Sequence, residues 1–392
     1  MSHKADEGFF VEKRPWSKRK DLILDYYLDA YLPIISHNPG KPILIVDGFA
    51  GRGEFHDGQP GSPLIIANKI ASTRDNGRLS APTKLLAVEA SDVLYPTLDS
   101  LLKPSEFAEV THHQFIDVLP EVEKLASSHS IFLYVDPYAI EGLDWALLDK
   151  IFCHLHQSSS SVEILLNYNA PALARRGRAA LKLAKPVLEE EDRDENAVKD
   201  NDDDWQRALQ NTPSIDKLNA MVGGDWWQKI LNEQLDYHRE VSALVQGYAE
   251  RLRERFREVC WHAIKEKPHH KAPKYVLIFG SRSPKALRLM NEASVKSRKA
   301  FADEYAPKTE TLFELRSTEL VPDSSEIPSL IRQCLLGHMT RGQLMDEVMR
   351  VRFGVHAEKT IRQAVANMIK DGQIISATGK SRINDSVEIW LA

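Results

Sequence analysis

Cysteine is scarce in this 392-residue chain, and long apolar runs are missing from it. The three cysteines, Cys153, Cys260 and Cys334, lie far apart and form no C-x-x-C pair. This spacing argues against a disulfide framework and against a structural zinc site. No apolar run reaches the ~18–20 residues of a membrane span, and no apolar signal region follows Met1. We therefore expect a cytoplasmic protein with no metal site and no membrane segment.

The chain also lacks an excess of positive charge. Its formal net charge is −5, so any nucleic-acid surface has to be a local patch. Residues 327–392 contain nine Lys/Arg and six Asp/Glu, a net charge of +3, which leaves −8 for the rest of the chain. The charge asymmetry favours the C-terminal region as the place where a polyanion binds.

The most informative segment is residues 43–53, which read I-L-I-V-D-G-F-A-G-R-G. An apolar run that ends in Asp47 predicts a buried parallel strand. The glycines at positions 48, 51 and 53 allow a tight turn and a close approach of a ligand to the backbone. The segment matches neither the dinucleotide fingerprint G-x-G-x-x-G nor the Gly-Lys-Ser/Thr of a phosphate-binding loop. It predicts a different ligand site, at the carboxyl edge of an α/β sheet.

Short apolar strands alternate with helical patterns through the first part of the chain, which predicts a parallel sheet covered on both faces. The predicted strands are 43–47, 85–88, 115–116, 131–135, 164–166 and 275–280. Polar residues follow five of them: Asp47 ends the first, and Glu89, Asp117, Asp136 and Asn167 come after the next four. Helices are predicted at 17–35, 63–73, 93–102, 118–127, 143–156 and 285–296.

Two regions depart from this alternation. Helical patterns at 171–184 and 214–258 flank an acidic run at 186–204, which we interpret as a solvated loop. They predict a helical insertion at about 170–260, within an α/β domain spanning 1–325.

The C-terminal residues 326–392 predict a winged helix-turn-helix domain. Three helices, at 328–336, 340–351 and 357–370, precede strands at 373–377 and 386–391. The predicted core positions are Leu344, Val348, Ile361, Val365 and Ile369.

The form hydrophobic-D-x-F-A-G-x-G resembles the first motif of class I S-adenosylmethionine (SAM) methyltransferases. The resemblance implies a Rossmann-like sheet with SAM as the cofactor. It implies cofactor contacts from Asp47, Gly48, Phe49, Ala50, Gly51, Gly53, Glu89 and Asp117. Glu89 would bind the ribose hydroxyls, since a carboxylate can accept two hydrogen bonds, and Asp117 would contact the adenine amine. Helix capping is the open alternative for these last two acids.

Residues 136–139, D-P-Y-A, resemble the D/N-P-P-Y/F motif of amino-methyltransferases. In that motif the side-chain oxygen accepts hydrogen bonds from the target amine, and the aromatic ring stacks on a planar base. The resemblance implies catalytic roles for Asp136, Pro137 and Tyr138. The second proline is missing, so the form is closer to the D-P-F-G of tRNA guanine N2-methyltransferases. A structural turn with a core tyrosine is the open alternative.

A wider resemblance, over most of residues 16–300, is to the three-Cys-motif partner proteins (TcmP). It is carried by K-D-L-I-L-D-Y-Y-L at 20–28, D-G-F-A-G-R-G, G-S-P at 61–63 and Y-V-L-I-F at 275–279. Asp21 stands where that family usually has a histidine, and Ala139 where it usually has a glycine. The resemblance implies a methyltransferase-like fold and a protein partner with a three-cysteine motif, of a radical-SAM-like kind.

Three functions follow as hypotheses. The first is SAM-dependent methylation of an exocyclic amine of a nucleobase in RNA or DNA. Its phosphate contacts would come from Lys359, Arg362, Lys380 and Arg382 of the winged helix. The second is a non-catalytic SAM-binding or assembly subunit that works with the three-Cys-motif partner. The third is a DNA-binding regulator in which the winged helix is the working part.

Overall fold

The computed structural model describes residues 10, 12–37, 40–137, 140–154, 161–192, 195–233, 235–267, 270–305 and 322–392. The chain divides into two compact units, Met1–Arg282 and Ser283–Ala392. The sequence analysis placed this division at 325/326 instead.

In the described part of the first unit, seven strands form one sheet of order β3-β2-β1-β4-β5-β7-β6. The strands are β1 Ile43–Asp47, β2 Thr83–Val88, β3 Ala108–Thr111, β4 Ser130–Val135, β5 Val162–Tyr168, β6 Glu258–Ile264 and β7 Tyr275–Ser281. Strands β1 to β5 are parallel, and β7 runs antiparallel to both β5 and β6. The core order β3-β2-β1-β4-β5 of parallel strands is that of a Rossmann-like sheet, so this prediction is confirmed.

Helices cover the sheet and form the insertion between β5 and β6. The first group is α1 Pro15–His37, α2 Ser62–Asp75, α3 Tyr95–Leu102, α4 Phe115–Leu125 and α5 Trp145–Cys153. The insertion contains α6 Ala170–Ala180, α7 Glu195–Gln210, α8 Ile215–Val222, α9 Trp226–Asn232 and α10 Tyr237–Arg253. Helix α7 includes the end of the acidic run at 186–204, so the interpretation of that whole run as a loop was wrong. Helix α1 packs on the sheet through Tyr27, whose ring stacks on Phe132 of β4 at 5.6 Å between centroids.

Two strand predictions were wrong. Residues 115–116 belong to helix α4, and the strand before it is β3. Because β3 lies at the edge of the sheet and is mostly half-exposed, its sequence A-E-V-T has no apolar run to mark it. Strand β6 was also missed. Its first residue, Glu258, was assigned to a helix of the insertion, and its other residues were assigned to no element.

The second unit contains α11 Pro284–Glu304, α12 Ile327–Cys334, β8 Met339–Thr340, α13 Arg341–Val351, α14 Glu358–Lys370, β9 Ile374–Ser376 and β10 Glu388–Leu391. The three strands form an antiparallel sheet of order β8-β10-β9. Of the predicted core residues, Leu344, Val348, Ile361 and Val365 are buried, and Ile369 is half-buried against them.

Helix α11 belongs to the second unit because its polar side chains bond to that unit. Asn291, fully buried, accepts a hydrogen bond from the Gly354 amide at 2.8 Å and donates to the His356 carbonyl at 3.0 Å. Arg288 donates to Asp346 at 2.6 Å and to Asp385 at 2.7 Å. These bonds are the physical reason for a division at 282/283.

Candidate functional site

The centre of the sheet provides the place for a ligand. Strand β1 has β2 on one side and β4 on the other, so the chain after β1 runs toward one edge of the sheet and the chain after β4 runs toward the opposite edge. In open α/β sheets, ligands bind outside the carboxyl ends of the strands at such a reversal of strand order. Asp47 ends β1, and Asp136 directly follows β4, so both acids flank this crevice.

The glycine loop after β1 is fixed by backbone hydrogen bonds to the neighbouring strands. The Gly48 amide donates to the Tyr134 carbonyl at 2.9 Å, and the Ala50 amide donates to the Val88 carbonyl at 2.9 Å. A Cβ at position 48 would lie 2.6 Å from the Phe115 ring. Gly51 has a φ of +63°, which other residues rarely adopt. Glycine is therefore required at position 48 because a side chain would collide with Phe115, and at position 51 because of the positive φ.

The segment between the glycine loop and α2 forms a tight hairpin. Glu54 and Pro60 form an isolated antiparallel bridge, and the Gly61 amide donates to the Gly53 carbonyl at 2.7 Å. The G-S-P at 61–63 thus returns to the glycine loop and begins α2. The hairpin and the 14-residue α2 account for much of the 42-residue gap between Asp47 and Glu89.

Glu89, after β2, lies against the glycine loop. Its carboxylate accepts a hydrogen bond from the Ser91 backbone amide at 2.7 Å. Burial raises the pKa of Glu89, and the backbone amides of Ser91, Gly51 and Ala90 oppose the shift. The structure therefore brings together the glycine loop and the acid predicted to bind a ribose.

Asp117 is exposed and lies in the first turn of α4. Its carboxylate accepts a hydrogen bond from the Gln114 amide at 3.3 Å, as part of a capping box. The structure thus shows Asp117 in the helix-capping role left open as its alternative. The predicted position at the end of a strand was wrong, because this acid lies three residues beyond Gln114, the N-cap of α4.

Asp47 is completely buried. One carboxylate oxygen, Oδ1, accepts a long hydrogen bond of 3.4 Å from the Phe49 amide, and Oδ2 has no hydrogen-bond partner among the described residues. Burial raises the pKa of Asp47 to about 7, an effect that the nearby charge of Asp136 increases and the Ser62 hydroxyl opposes. Asp47 is therefore a buried acid whose charge state changes near neutral pH.

Asp136 is held from two sides. Lys20 of α1 donates to its Oδ2, and Asn167 of β5 donates through Nδ2 to its Oδ1 at 2.7 Å. The side chains of Lys20 and Asp136 are 11% and 17% exposed, so the ion pair lies just inside the protein surface. Pro137 is buried, and the third residue of the predicted motif, Tyr138, lies outside the described residues.

Sequence reasoning missed Lys20 and Asn167 as members of the site. Lys20 is 116 residues from Asp136 in the sequence, and its only signal was its place in the K-D-L-I-L-D-Y-Y-L segment. Burial on its own lowers the pKa of Lys20, but the charges of Asp136 and Asp21 outweigh it, so the pKa is raised and Lys20 stays protonated. Asp21 forms an ion pair with Lys13 at 2.5 Å.

The predicted phosphate-binding cations lie in the second unit. Lys359 is exposed near the start of α14, and Lys380 and Arg382 are exposed between β9 and β10. Arg362 is paired with Glu358 and donates to Asp385 at 3.3 Å, so part of its charge is neutralised within the unit.

One group of side chains in the described part of the chain has a spacing that could hold a metal ion: Glu189, Asp236 and His238. Its Glu189 carboxylate already accepts from the His238 amide at 3.1 Å and lies 3.3 Å from the Lys271 ammonium. Because a lysine already pairs with this carboxylate, we assign no metal to the group.

No family model and no curated protein matches the chain, so the resemblance to TcmP proteins rests on its motifs alone. Parts of the chain are similar to solved structures. One is the plantazolicin methyltransferase BamL with a desmethyl-plantazolicin analogue and SAH (12% identity, 68% of this chain, 88% of that chain, TM-score 0.29). Another is geranyl diphosphate methyltransferase with GPP and sinefungin (10% identity, 65% of this chain, 78% of that chain, TM-score 0.24). A third is a putative protein-L-isoaspartate O-methyltransferase from Plasmodium falciparum with SAH (14% identity, 36% of this chain, 57% of that chain, TM-score 0.22). At these low scores and identities the matches assign no ligand or substrate to this chain.

No described helix is long and apolar enough to cross a membrane.

Proposed function

We propose that the first unit is a SAM-dependent methyltransferase that acts on an exocyclic amine of a nucleobase in RNA or DNA. The observation that carries this proposal is the hydrogen bond from the Ala50 amide to the Val88 carbonyl, at 2.9 Å, which holds the glycine loop beside Glu89 at the reversal of strand order. A half-buried carboxylate beside a glycine turn can accept both hydroxyls of a ribose, while the turn leaves room for the rest of the cofactor.

The residues present fit SAM. Asp47, Gly48, Phe49, Ala50, Gly51 and Gly53 would hold its methionine part and Glu89 its ribose. The buried Oδ2 of Asp47, without a partner among described residues, offers an acceptor beside the loop. We do not include Asp117, because its carboxylate caps α4. When bound, SAM supplies a methyl group on a sulfonium, which is already a good leaving group, so the protein contributes mainly positioning.

Asp136 supplies that positioning on the acceptor side. Lys20 and Asn167 fix both of its oxygens, and each carboxylate oxygen still has a second lone pair for a hydrogen bond from an amine. By the resemblance of the D-P-Y-A segment, Pro137 and Tyr138 are further residues that we propose for the acceptor side.

Methyl transfer from tritium-labelled SAM to separate pools of RNA, DNA and protein tests the proposal. We expect label in RNA or DNA. We expect Asp136→Ala to lower the rate by about 100-fold or more, with little change in the affinity for S-adenosylhomocysteine (SAH), because the change removes an orienting group on the acceptor side. Asp75→Ala, at an acid whose side chain is 71% exposed, is the control. Undiminished transfer by Asp136→Ala would refute the catalytic assignment, and label in protein alone would refute the acceptor class.

A non-catalytic role with a three-Cys-motif partner is a second candidate. The observation that favours it is that Lys20 and Asn167 already occupy one bond to each oxygen of Asp136. This candidate predicts SAH binding with no transfer to any pool, unless the partner protein is added.

The second unit is proposed as the nucleic-acid module. What supports this proposal is that helices α12, α13 and α14 precede strands β9 and β10, as the sequence predicts, although β8 was not predicted. Lys359 lies near the start of α14, and Lys380 and Arg382 lie between β9 and β10. Phosphate contacts of this kind position a nucleic acid without reading its sequence. If the second unit acts alone, as a DNA-binding regulator, nucleic acid will bind and the transfer assay will show no label.

A further inference from the structure

Asn167 is a polar residue in the middle of an otherwise hydrophobic layer. It lies in β5, whose preceding residues Ile164, Leu165 and Leu166 are buried, and its own side chain is almost fully buried, with the residue 2% exposed. Buried polar side chains in folded proteins almost always have hydrogen-bond partners for their atoms, so each exception needs an explanation.

The neighbouring acid fixes the orientation of the Asn167 amide. An ionised carboxylate only accepts hydrogen bonds, so the amide nitrogen, Nδ2, faces Asp136 at 2.7 Å. Lys20 donates to the other oxygen of Asp136, Oδ2. The Asn167 carbonyl oxygen, Oδ1, therefore faces away from Asp136. Oδ1 is buried, and no donor of the described residues reaches it.

Glu163, a second buried polar residue of β5, differs from Asn167 in that both of its oxygens have partners. It lies four residues before Asn167, on the same face of β5, and it is buried. One of its oxygens accepts from the Tyr27 hydroxyl and the other from the Ser281 hydroxyl at 2.9 Å. The fold thus provides partners for both acceptors of Glu163, whereas Oδ1 of Asn167, beside the proposed acceptor site, has no partner among the described residues.

We propose that Asn167 is a substrate-contact residue whose Oδ1 accepts an N–H from the amino group that receives the methyl group. Lys20 is then a positioning residue, which acts by holding Asp136 and, through Asp136, the amide of Asn167. The inference rests on the proposed function and narrows it.

A chemical preference follows from this arrangement. An amino group can donate a hydrogen bond to Oδ1. A keto oxygen at the same place cannot, because it and Oδ1 are both acceptors and repel each other. A site built to bond a substrate N–H discriminates against analogues that lack it, because its own buried acceptor is then left unpaired. The site should therefore favour amino-bearing bases over their oxo counterparts, cytosine over uracil and adenine over hypoxanthine.

Calorimetry on the full chain, saturated with SAH, tests the inference with cytidine against uridine and adenosine against inosine. We expect at least one amino nucleoside to bind more tightly than its oxo counterpart by about three- to tenfold. Asn167→Leu, which keeps a similar volume without the acceptor, should abolish that ratio. The matched control is Glu163→Gln, on the same strand and face, which should keep the ratio.

The wild-type ratio needs no variant, so the test survives a failure of Asn167→Leu to fold. If SAH binds but wild type shows no preference for an amino nucleoside, or if folded Asn167→Leu keeps the preference, the inference is wrong. If no SAH binds, the proposed function fails instead, and the two failures are thereby distinguished.

Discussion

At the scale of single residues, the polar side chains on the α1 face of the sheet carry the account. Asp47, Asp136, Glu163 and Asn167 lie in or just after strands that are otherwise apolar. Glu163 has its partners inside the protein, whereas Asp47 and Asn167 each keep one buried oxygen without a partner among the described residues. Our proposal assigns Glu163 to the stability of the fold, and Asp47 and Asn167 to the binding of a ligand.

The sequence predicted part of this set. Asp47 and Asp136 could be found because an acid at the end of an apolar run is visible in the chain itself. The ion pair between Lys20 and Asp136 could not, since it joins residues that only the packing of α1 on the sheet brings together. Asn167 was seen at a strand end, but its unpartnered oxygen depends on side-chain orientation, which no sequence pattern encodes.

Glu163 gives a prediction on pH and stability. Burial raises its pKa from 4.5 to about 7, with the Tyr27 and Ser281 hydroxyls opposing the shift. Between these values the native protein keeps a proton that the unfolded chain has lost, so the free energy of unfolding falls as the pH rises through this window. Because Glu163→Gln lacks this titration, we expect its free energy of unfolding, relative to that of wild type, to rise by about 2–3 kcal/mol from pH 5 to pH 8.

Urea unfolding at the two pH values measures this difference. Glu121→Gln, at an exposed glutamate of α4, is the control and should show the same pH dependence as wild type. A pH-independent effect of Glu163→Gln would show that the carboxyl titrates alike in the folded and unfolded chain.

At the scale of elements, the sequence predicted those with clear periodicity and missed those without it. Helix α1 and the buried strands β1 and β4 were found within a few residues, since they are long or uniformly apolar. The edge strand β3 was missed because it buries too little apolar surface to show a pattern. Helix α11 was found, but its place in the second unit was not, because only contacts distant in sequence decide it.

Helix α11 therefore carries a prediction of its own. Asn291→Ala removes the side chain that bonds both the Gly354 amide and the His356 carbonyl. Because both groups then lose this hydrogen bond, the change should destabilise the second unit by about 2–4 kcal/mol. Hydrogen exchange over residues 283–392 of the full chain measures the effect, and we expect faster exchange in α11 and around residue 354. Asn367→Ala, at an exposed asparagine, is the control. Unchanged exchange in Asn291→Ala would show that these two hydrogen bonds do not stabilise the second unit.

At the scale of the whole molecule, two units of opposite charge divide the proposed work. The first unit, Met1–Arg282, contains the crevice with Glu89 and the glycine loop and has a net charge of −7, whereas the second unit, Ser283–Ala392, has a net charge of +2. Composition alone revealed this division of charge. It did not reveal the boundary, and it left the identity of any polyanion to experiment.

The central claim is that the glycine loop binds SAM, and calorimetric titration with SAH tests it most directly. Gly51 and Gly77 have nearly equal φ values, +63° and +66°, so alanine strains the backbone equally at both. A Cβ at 51 would lie 3.0 Å from the Phe10 ring, whereas nothing lies within 4 Å of a Cβ at 77. The account predicts micromolar binding by wild type and by Gly77→Ala, and a loss of at least about tenfold in Gly51→Ala, or ~1.4 kcal/mol. Well-folded wild-type protein that binds neither SAH nor SAM, or equal binding by the two variants, would contradict it.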